Sequence, residues 1–199
     1  MRYFVLTVCL FFSFSFSSAS QRKEIISKLT IKLEGNKTNI SDFIDINGYY
    51  SNADFGSGIR ANVIFFSDGT YVWQFKFRED ATEDSISNNI GRWIYTWIED
   101  KQIRWGNYWG VYRIEGDTII GNFFVKGSFW RGWSFTEERY KIIDKTTIKK
   151  ISLKYLLKSD NNSETWMSDY YHFIPADSLP PSDCWLKEEK WIWLLSNKE

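Results

Sequence analysis

The chain has 199 residues, Lys+Arg 25 balanced by Asp+Glu 25, 43% hydrophobic side chains and 19% aromatic ones, including 11 Trp. Balanced charge excludes a protein built mainly for nucleic acid, which needs a clustered basic excess, and the apolar fraction excludes overall disorder. The length suits one domain with a short appendage.

Residues 1–19 have the form of a secretory signal peptide. Met1-Arg2 is a short positive start, Tyr3 to Phe16 is apolar with interspersed serines, and Ser17-Ser18-Ala19 supplies small residues for cleavage. The apolar run is too short for a membrane anchor. Cys9 lies inside it rather than at the cleavage position, so lipid anchoring is not expected. These residues predict a secreted or periplasmic protein with no transmembrane segment after cleavage. Cys184 is then the only thiol left, which excludes an internal disulfide. With no histidine near it in sequence, it reads as a half-buried small residue rather than a nucleophile.

Residues 20–46 read as an extra strand, carried by Leu29, Ile31 and Leu33 at period two, followed by a polar loop. That loop holds the sequons Asn36-Lys37-Thr38 and Asn39-Ile40-Ser41, and a third, Asn161-Asn162-Ser163, lies further on.

The segment 47–157 reads as a β-rich core. Ile59 to Phe66 is β-branched and aromatic, Ser67-Asp68-Gly69-Thr70 is a turn, and Tyr71, Trp73, Phe75 and Phe77 then alternate with polar or smaller residues. An Asp-Gly pair suits a two-residue type I′ turn. Such a turn pairs Phe66 with Tyr71, Ile64 with Trp73, Asn62 with Phe75 and Arg60 with Phe77, which turns Arg60 and Asn62 inward among aromatics. A bulge or register slip would instead turn Arg60 to solvent. Further strands are predicted at Ile90–Ile98, Gln102–Trp105, Trp109–Ile114, Thr118–Val125, Glu138–Ile143 and Thr147–Tyr155, with turns at Glu115-Gly116-Asp117 and Asp144-Lys145-Thr146. The fold class is all-β: an antiparallel up-and-down meander of about 8–10 strands closed into a barrel. There is no room for the crossover helices of a parallel sheet.

Residues 158–199 form a tail, with one more strand over Thr165–Phe173, a loop marked by Pro175 and Pro180-Pro181, and a short helix from Asp183 to Leu195. Trp185, Trp191 and Trp193 make this tail too apolar for a free linker.

The series Gly48-Tyr49-Tyr50, Ser67-Asp68-Gly69-Thr70-Tyr71, Gly91-Arg92-Trp93, Tyr112-Arg113-Ile114-Glu115-Gly116-Asp117 and Tyr140-Lys141-Ile142-Ile143-Asp144 resembles the lipocalin-like barrels of exported bacterial proteins. Asp42-Phe43 ahead of Gly48 and Tyr50 is similar to the first lipocalin motif, in which a glycine and an aromatic two residues later close the barrel floor. The spacing from Gly48 through Gly58-Ile59 to the Asp-Gly-Thr-Tyr hairpin is also similar to the N-terminal barrel of the NlpE envelope lipoproteins. Their Cys-x-x-Cys pair has no counterpart in the loop Asn52 to Gly58. The resemblance implies a meander barrel over some 110 residues, with the C-terminal helix packed on the barrel wall.

Catalytic chemistry finds little support. His172 and Cys184 are too few for a structural zinc site, and His172 in Tyr170-Tyr171-His172-Phe173 reads as a ring in an aromatic strand. Gly56-Ser57-Gly58 lacks the length and the Lys of a phosphate loop. Glu137 and Glu138 point to opposite faces of any strand. The lysines at 149, 150, 154 and 158 read as a solvated outer surface. No enzyme activity, cofactor or metal is expected.

What distinguishes the sequence is its aromatic load. The rings either fill the barrel lumen or line a pocket for an apolar or aromatic ligand. In the second case Arg60, Asn62, Tyr71, Trp73, Phe75, Trp93 and Trp97 are the candidate ligand-binding residues. In the first, the chain is a cell-envelope interaction module that presents Trp130 and Trp133 to a protein or glycan. A monomer is expected in either case.

Overall fold

The computed structural model describes residues 23–29, 31, 33, 39–52, 59–78, 109–126, 133–157, 163–176, 179, 181–182, 184–188 and 190–192, with the backbone alone at 59–60, 74–78, 125–126, 133, 185 and 191. The expected signal segment, the expected strands at 90–98 and 102–105, and Trp93, Trp97 and Trp130 lie outside the described residues. Eight strands are described: β1 Gly48–Asn52, β2 Ile59–Phe65, β3 Thr70–Arg78, β4 Trp109–Glu115, β5 Thr118–Lys126, β6 Trp133–Asp144, β7 Thr147–Tyr155 and β8 Glu164–Pro175. They form a closed barrel in sequence order, every ladder antiparallel, and β8 returns to pair with β1. The meander expected from the turn spacing is therefore the fold.

Alternation along the strands separates two cores. One takes side chains from all eight strands, including Tyr50, Val63, Phe65, Tyr71, Tyr112, Ile119, Tyr140, Ile148 and Tyr171, and is the barrel interior. The other lies outside the wall, where Tyr49, Ile64, Val72, Trp109, Val111, Ile120, Phe124 and Phe135 are covered by Ile25, Ile31, Leu33, Cys184, Leu186 and Ile192. Described residues of both terminal segments thus pack on the barrel. Residues 23–28 are helical, Ile31 and Leu33 are buried in the outer core, and Leu33 makes a bridge, its N–H donating to the Ile192 carbonyl at 2.8 Å, while residues 30, 32 and 34–38 of the expected strand and loop lie outside the described residues. The tail forms two short 3-10 turns, Trp185–Glu188 and Lys190–Ile192. Lys187 anchors it by pairing with Asp68 in the β2–β3 turn. Burial alone would raise the Asp68 carboxyl, but Lys187 and the Thr70 hydroxyl and amide outweigh it and hold the group below its ordinary value.

The β2–β3 turn departs from the two-residue expectation. The Gly69 N–H donates to the Phe66 carbonyl at 3.2 Å and the Phe66 N–H to the Thr70 carbonyl at 2.9 Å, so Ser67, Asp68 and Gly69 form a three-residue loop. Gly69 takes the left-handed position with φ 85°. Phe65, not Phe66, therefore faces Tyr71, and Val63, not Ile64, faces Trp73. A bulge at Gln74 then restores the expected pairs Asn62↔Phe75 and Arg60↔Phe77. Because a methyl group at a left-handed position costs about 1–2 kcal/mol, Gly69→Ala is expected to lower stability by that amount in urea unfolding, with the slope unchanged.

The two ends of the barrel differ. At one end the strands are joined by the short turns 66–69, 116–117 and 145–146, and the 3-10 turn Ile40–Asp42 closes the opening. Ile40 and Ile44 are fully buried in the interior there. The Tyr50 hydroxyl donates to the carbonyls of Lys145 at 2.7 Å and Asp45 at 3.1 Å, and the Tyr112 hydroxyl to that of Phe66 at 2.5 Å. At the other end the strands are joined by the longer connections 53–58, 79–108, 127–132 and 156–163.

Candidate functional site

The lower interior is aromatic. Phe65 meets Tyr71, Tyr112 and Tyr140 at centroid separations of 5.6, 5.4 and 5.9 Å, and Tyr140 meets Tyr171 at 5.9 Å. Phe65 stacks on Tyr71, and the other three contacts are edge-on, so ring edges meet ring faces. Gly110 and Gly121 leave room for the Tyr71 ring. A Cβ at Gly121 would lie 2.6 Å from the Tyr71 hydroxyl, and one at Gly110 2.3 Å from its ring.

Above these rings lies an ion pair. Glu138 on β6 and Lys150 on β7 are 0% and 1% exposed, and the Lys150 ammonium donates to Glu138 Oε1. The register explains how they meet. Lys150 stands opposite Tyr140, and a bulge at Ile151 brings Leu153 opposite Glu138, so Glu138, Tyr140, Lys150 and Leu153 all face inward. Tyr140 donates its hydroxyl to Glu138 Oε2 at 2.9 Å. The ammonium also lies 4.5 Å from the centroid of the Trp73 ring and 5.7 Å from that of Tyr140. Burial first, and then the Glu138 charge, push the hydroxyls of Tyr71, Tyr140 and Tyr171 upward. They stay protonated at physiological pH and remain donors.

Toward the long-connection end the interior changes character. Trp73 contacts Phe123 at 5.1 Å between centroids. The neighbouring inward positions are Asn52, Ala61, Thr136 and Leu153, smaller or more polar than the rings below. The Thr136 hydroxyl is buried with no hydrogen-bond partner. Trp73 and Leu153 face inward yet keep solvent-accessible surface, unlike the fully buried Tyr71 and Tyr140. Solvent therefore reaches Trp73 and Leu153 from this end, while the ion pair beneath them is closed off.

The sequence-based site divides accordingly. Tyr71 and Trp73 are interior. Asn62 is buried but belongs to the outer face, since it alternates with Ala61 and Val63 and pairs with Ser51. The longer loop and the bulge at Gln74 together turn that face outward, which corrects the inward reading of Asn62. Arg60 and Phe75 are placed by backbone only, and their side chains, like that of Trp133, lie outside the described residues. Glu137 and Glu138 do point to opposite faces, Glu137 pairing outside with Arg139 at 2.9 Å. Lys150 is the second correction, because it is an interior cation instead of part of a solvated surface. The signal for it was its place on the same face as Ile148 in a hairpin whose other strand carries Glu138 beside Tyr140. Cys184 is fully buried in the outer core, where desolvation pushes its thiol up, and His172 is exposed on β8.

The chain matches no protein-family model, no curated protein and no solved structure.

Proposed function

We propose that the chain is an exported, lipocalin-like protein that binds a small apolar or aromatic molecule inside its barrel. The observation that carries the reading is Trp73, an interior indole that lies against both Phe123 and the Lys150 ammonium and still keeps accessible surface. A ligand there would rest its apolar body on the Trp73 and Phe123 rings, above the closed Lys150–Glu138 pair. Few well-placed polar groups in an aromatic cleft are the usual composition of a small-molecule site. Access would be from the end carrying the connections 53–58, 79–108 and 127–132, to which the candidates Trp93 and Trp97 belong. Export rests on the signal-like residues 1–19.

Titration with an uncharged phenylnaphthylamine probe tests the binding site. The expected result is a saturable rise in probe fluorescence with one site per chain, weakened about tenfold or more by Trp73→Ala, while the far-ultraviolet spectrum is unchanged. Equal binding by wild type and variant would sink the lumen site. An intact mass that retains Met1 on protein from its own host would sink export.

A further inference from the structure

The outer face of β6, β7 and β8 is the part of the wall that the terminal segments leave bare. Nearly all of the outer core lies over β1 to β6, and β8 contributes only Ile174 to its margin. On the bare face the register builds two cross-strand rows. Arg139, Ser152 and Trp166 form one, and Lys141, Lys149 and Tyr170 the next. Trp166 is 75% exposed and Tyr170 47%. They share one face of one strand four residues apart, about 13 Å along a straight line at ordinary strand rise. Lys149 holds its ammonium 4.9 Å from the centroid of the Tyr170 ring.

The charge of these rows is one-sided. Arg139, Lys141 and Lys149 supply three cations, Asp117 meets Lys141 from outside the rows, and the adjoining row on the same face is Glu137, Lys154 and Glu164. The Lys141–Asp117 pair is exposed on both sides and weak, whereas Arg139 donates through two nitrogens to Glu137, a carboxylate only 11% exposed. A large indole left open to water on a sheet, aligned with a second ring and flanked by cations, is a recognition surface rather than packing.

From this we infer that the outer face of β6–β8 binds a linear acidic polysaccharide, lying along β8 with sugar rings stacked on Trp166 and Tyr170 and uronate carboxylates paired with Lys149, Lys141 and Arg139. The collinear rings select a linear polymer. The cations beside them select an acidic one. The other anionic polymer, single-stranded nucleic acid, is an outcome of the test below. This surface is the opposite side of the wall from the barrel interior, and the inference does not depend on a lumen ligand.

Affinity electrophoresis of the full chain in gels cast with polygalacturonate tests it. The expected result is retardation that grows with polymer concentration, falls about tenfold in apparent affinity for Trp166→Ala and for the pair Lys141→Ala and Lys149→Ala, and weakens with added salt. Fully methyl-esterified polygalacturonate, with the same sugars and no charge, should retard the chain far less. Trp166 is open to solvent, so its removal leaves the barrel folded, and an unchanged Tm confirms that. Four results would each overturn the inference: no retardation by polygalacturonate, equal retardation of wild type and Trp166→Ala, equal retardation by the esterified polymer, or stronger retardation by single-stranded DNA.

Discussion

Lys150→Ala is expected to destabilise the barrel by about 3–5 kcal/mol, because it strands the Glu138 carboxylate in the interior with no cation and only neutral tyrosine hydroxyls beside it. Removing one member of a buried pair costs more than removing both. The double variant Glu138→Gln with Lys150→Met should therefore recover most of the loss, since the glutamine oxygen can still accept from Tyr140 and the methionine can still cover the Trp73 face. Urea unfolding of the two single variants and the double variant makes the comparison. A loss below about 1 kcal/mol for Lys150→Ala would mean that water reaches Glu138 freely, which its 0% exposure excludes.

Gly121→Ala is expected to cost about 2–3 kcal/mol by overpacking. Every close neighbour of the added Cβ belongs to the Tyr71 side chain, at 2.6, 2.7 and 2.9 Å. Tyr71 is fully buried between Phe65 and the two glycines, so the ring has no room to retreat. Combined with Tyr71→Ala, the glycine substitution should cost far less than it does alone, a coupling of about 1–2 kcal/mol in a double-mutant cycle. Gly110→Ala gives the contrast. Its Cβ would also lie 2.6 Å from the Asn122 carbonyl, which is backbone and remains when the ring is gone, so the cost should persist. Additive costs at Gly121 would show that Tyr71 is not what the glycine accommodates.

The strands β2 to β8 were legible because turn residues punctuate alternating runs, and these local signals determine a meander in which each strand pairs with the next. The candidate site was legible only in part. Tyr71 and Trp73 follow from alternation next to the turn, where few residues separate signal and outcome. Asn62 did not follow, because Ser67 joins the loop and shifts the near half of the hairpin by one residue, and Gln74 shifts the far half back. Each irregularity flips a face, and neither leaves a mark in the hydrophobic period. Lys150 was hidden for a different reason. A lysine in a run with Lys149 and Lys154 reads as surface until its cross-strand neighbours are known, and Ile151 breaks the alternation beside it. The helix over 23–28 precedes the period-two residues Leu29, Ile31 and Leu33 and is too short to show a helical period in the sequence.

The return of β8 to β1 has a consequence for the order in which the molecule is made. Every other ladder joins strands adjacent in sequence, whereas Gly48–Ser51 must find His172–Pro175 across almost the whole barrel. Local hairpins can form quickly and in any order, but this one seam bears the loop-closure entropy of the fold. A newly synthesised chain has β1 in hand long before β8 exists, with its β8-facing edge unpaired in the meantime. That edge is a temporary template for other strands, and the residues that guard it are short: β1 is the briefest strand of the eight, five residues from Gly48 to Asn52. Brevity at the seam limits mispairing during the interval when the curled sheet is still open.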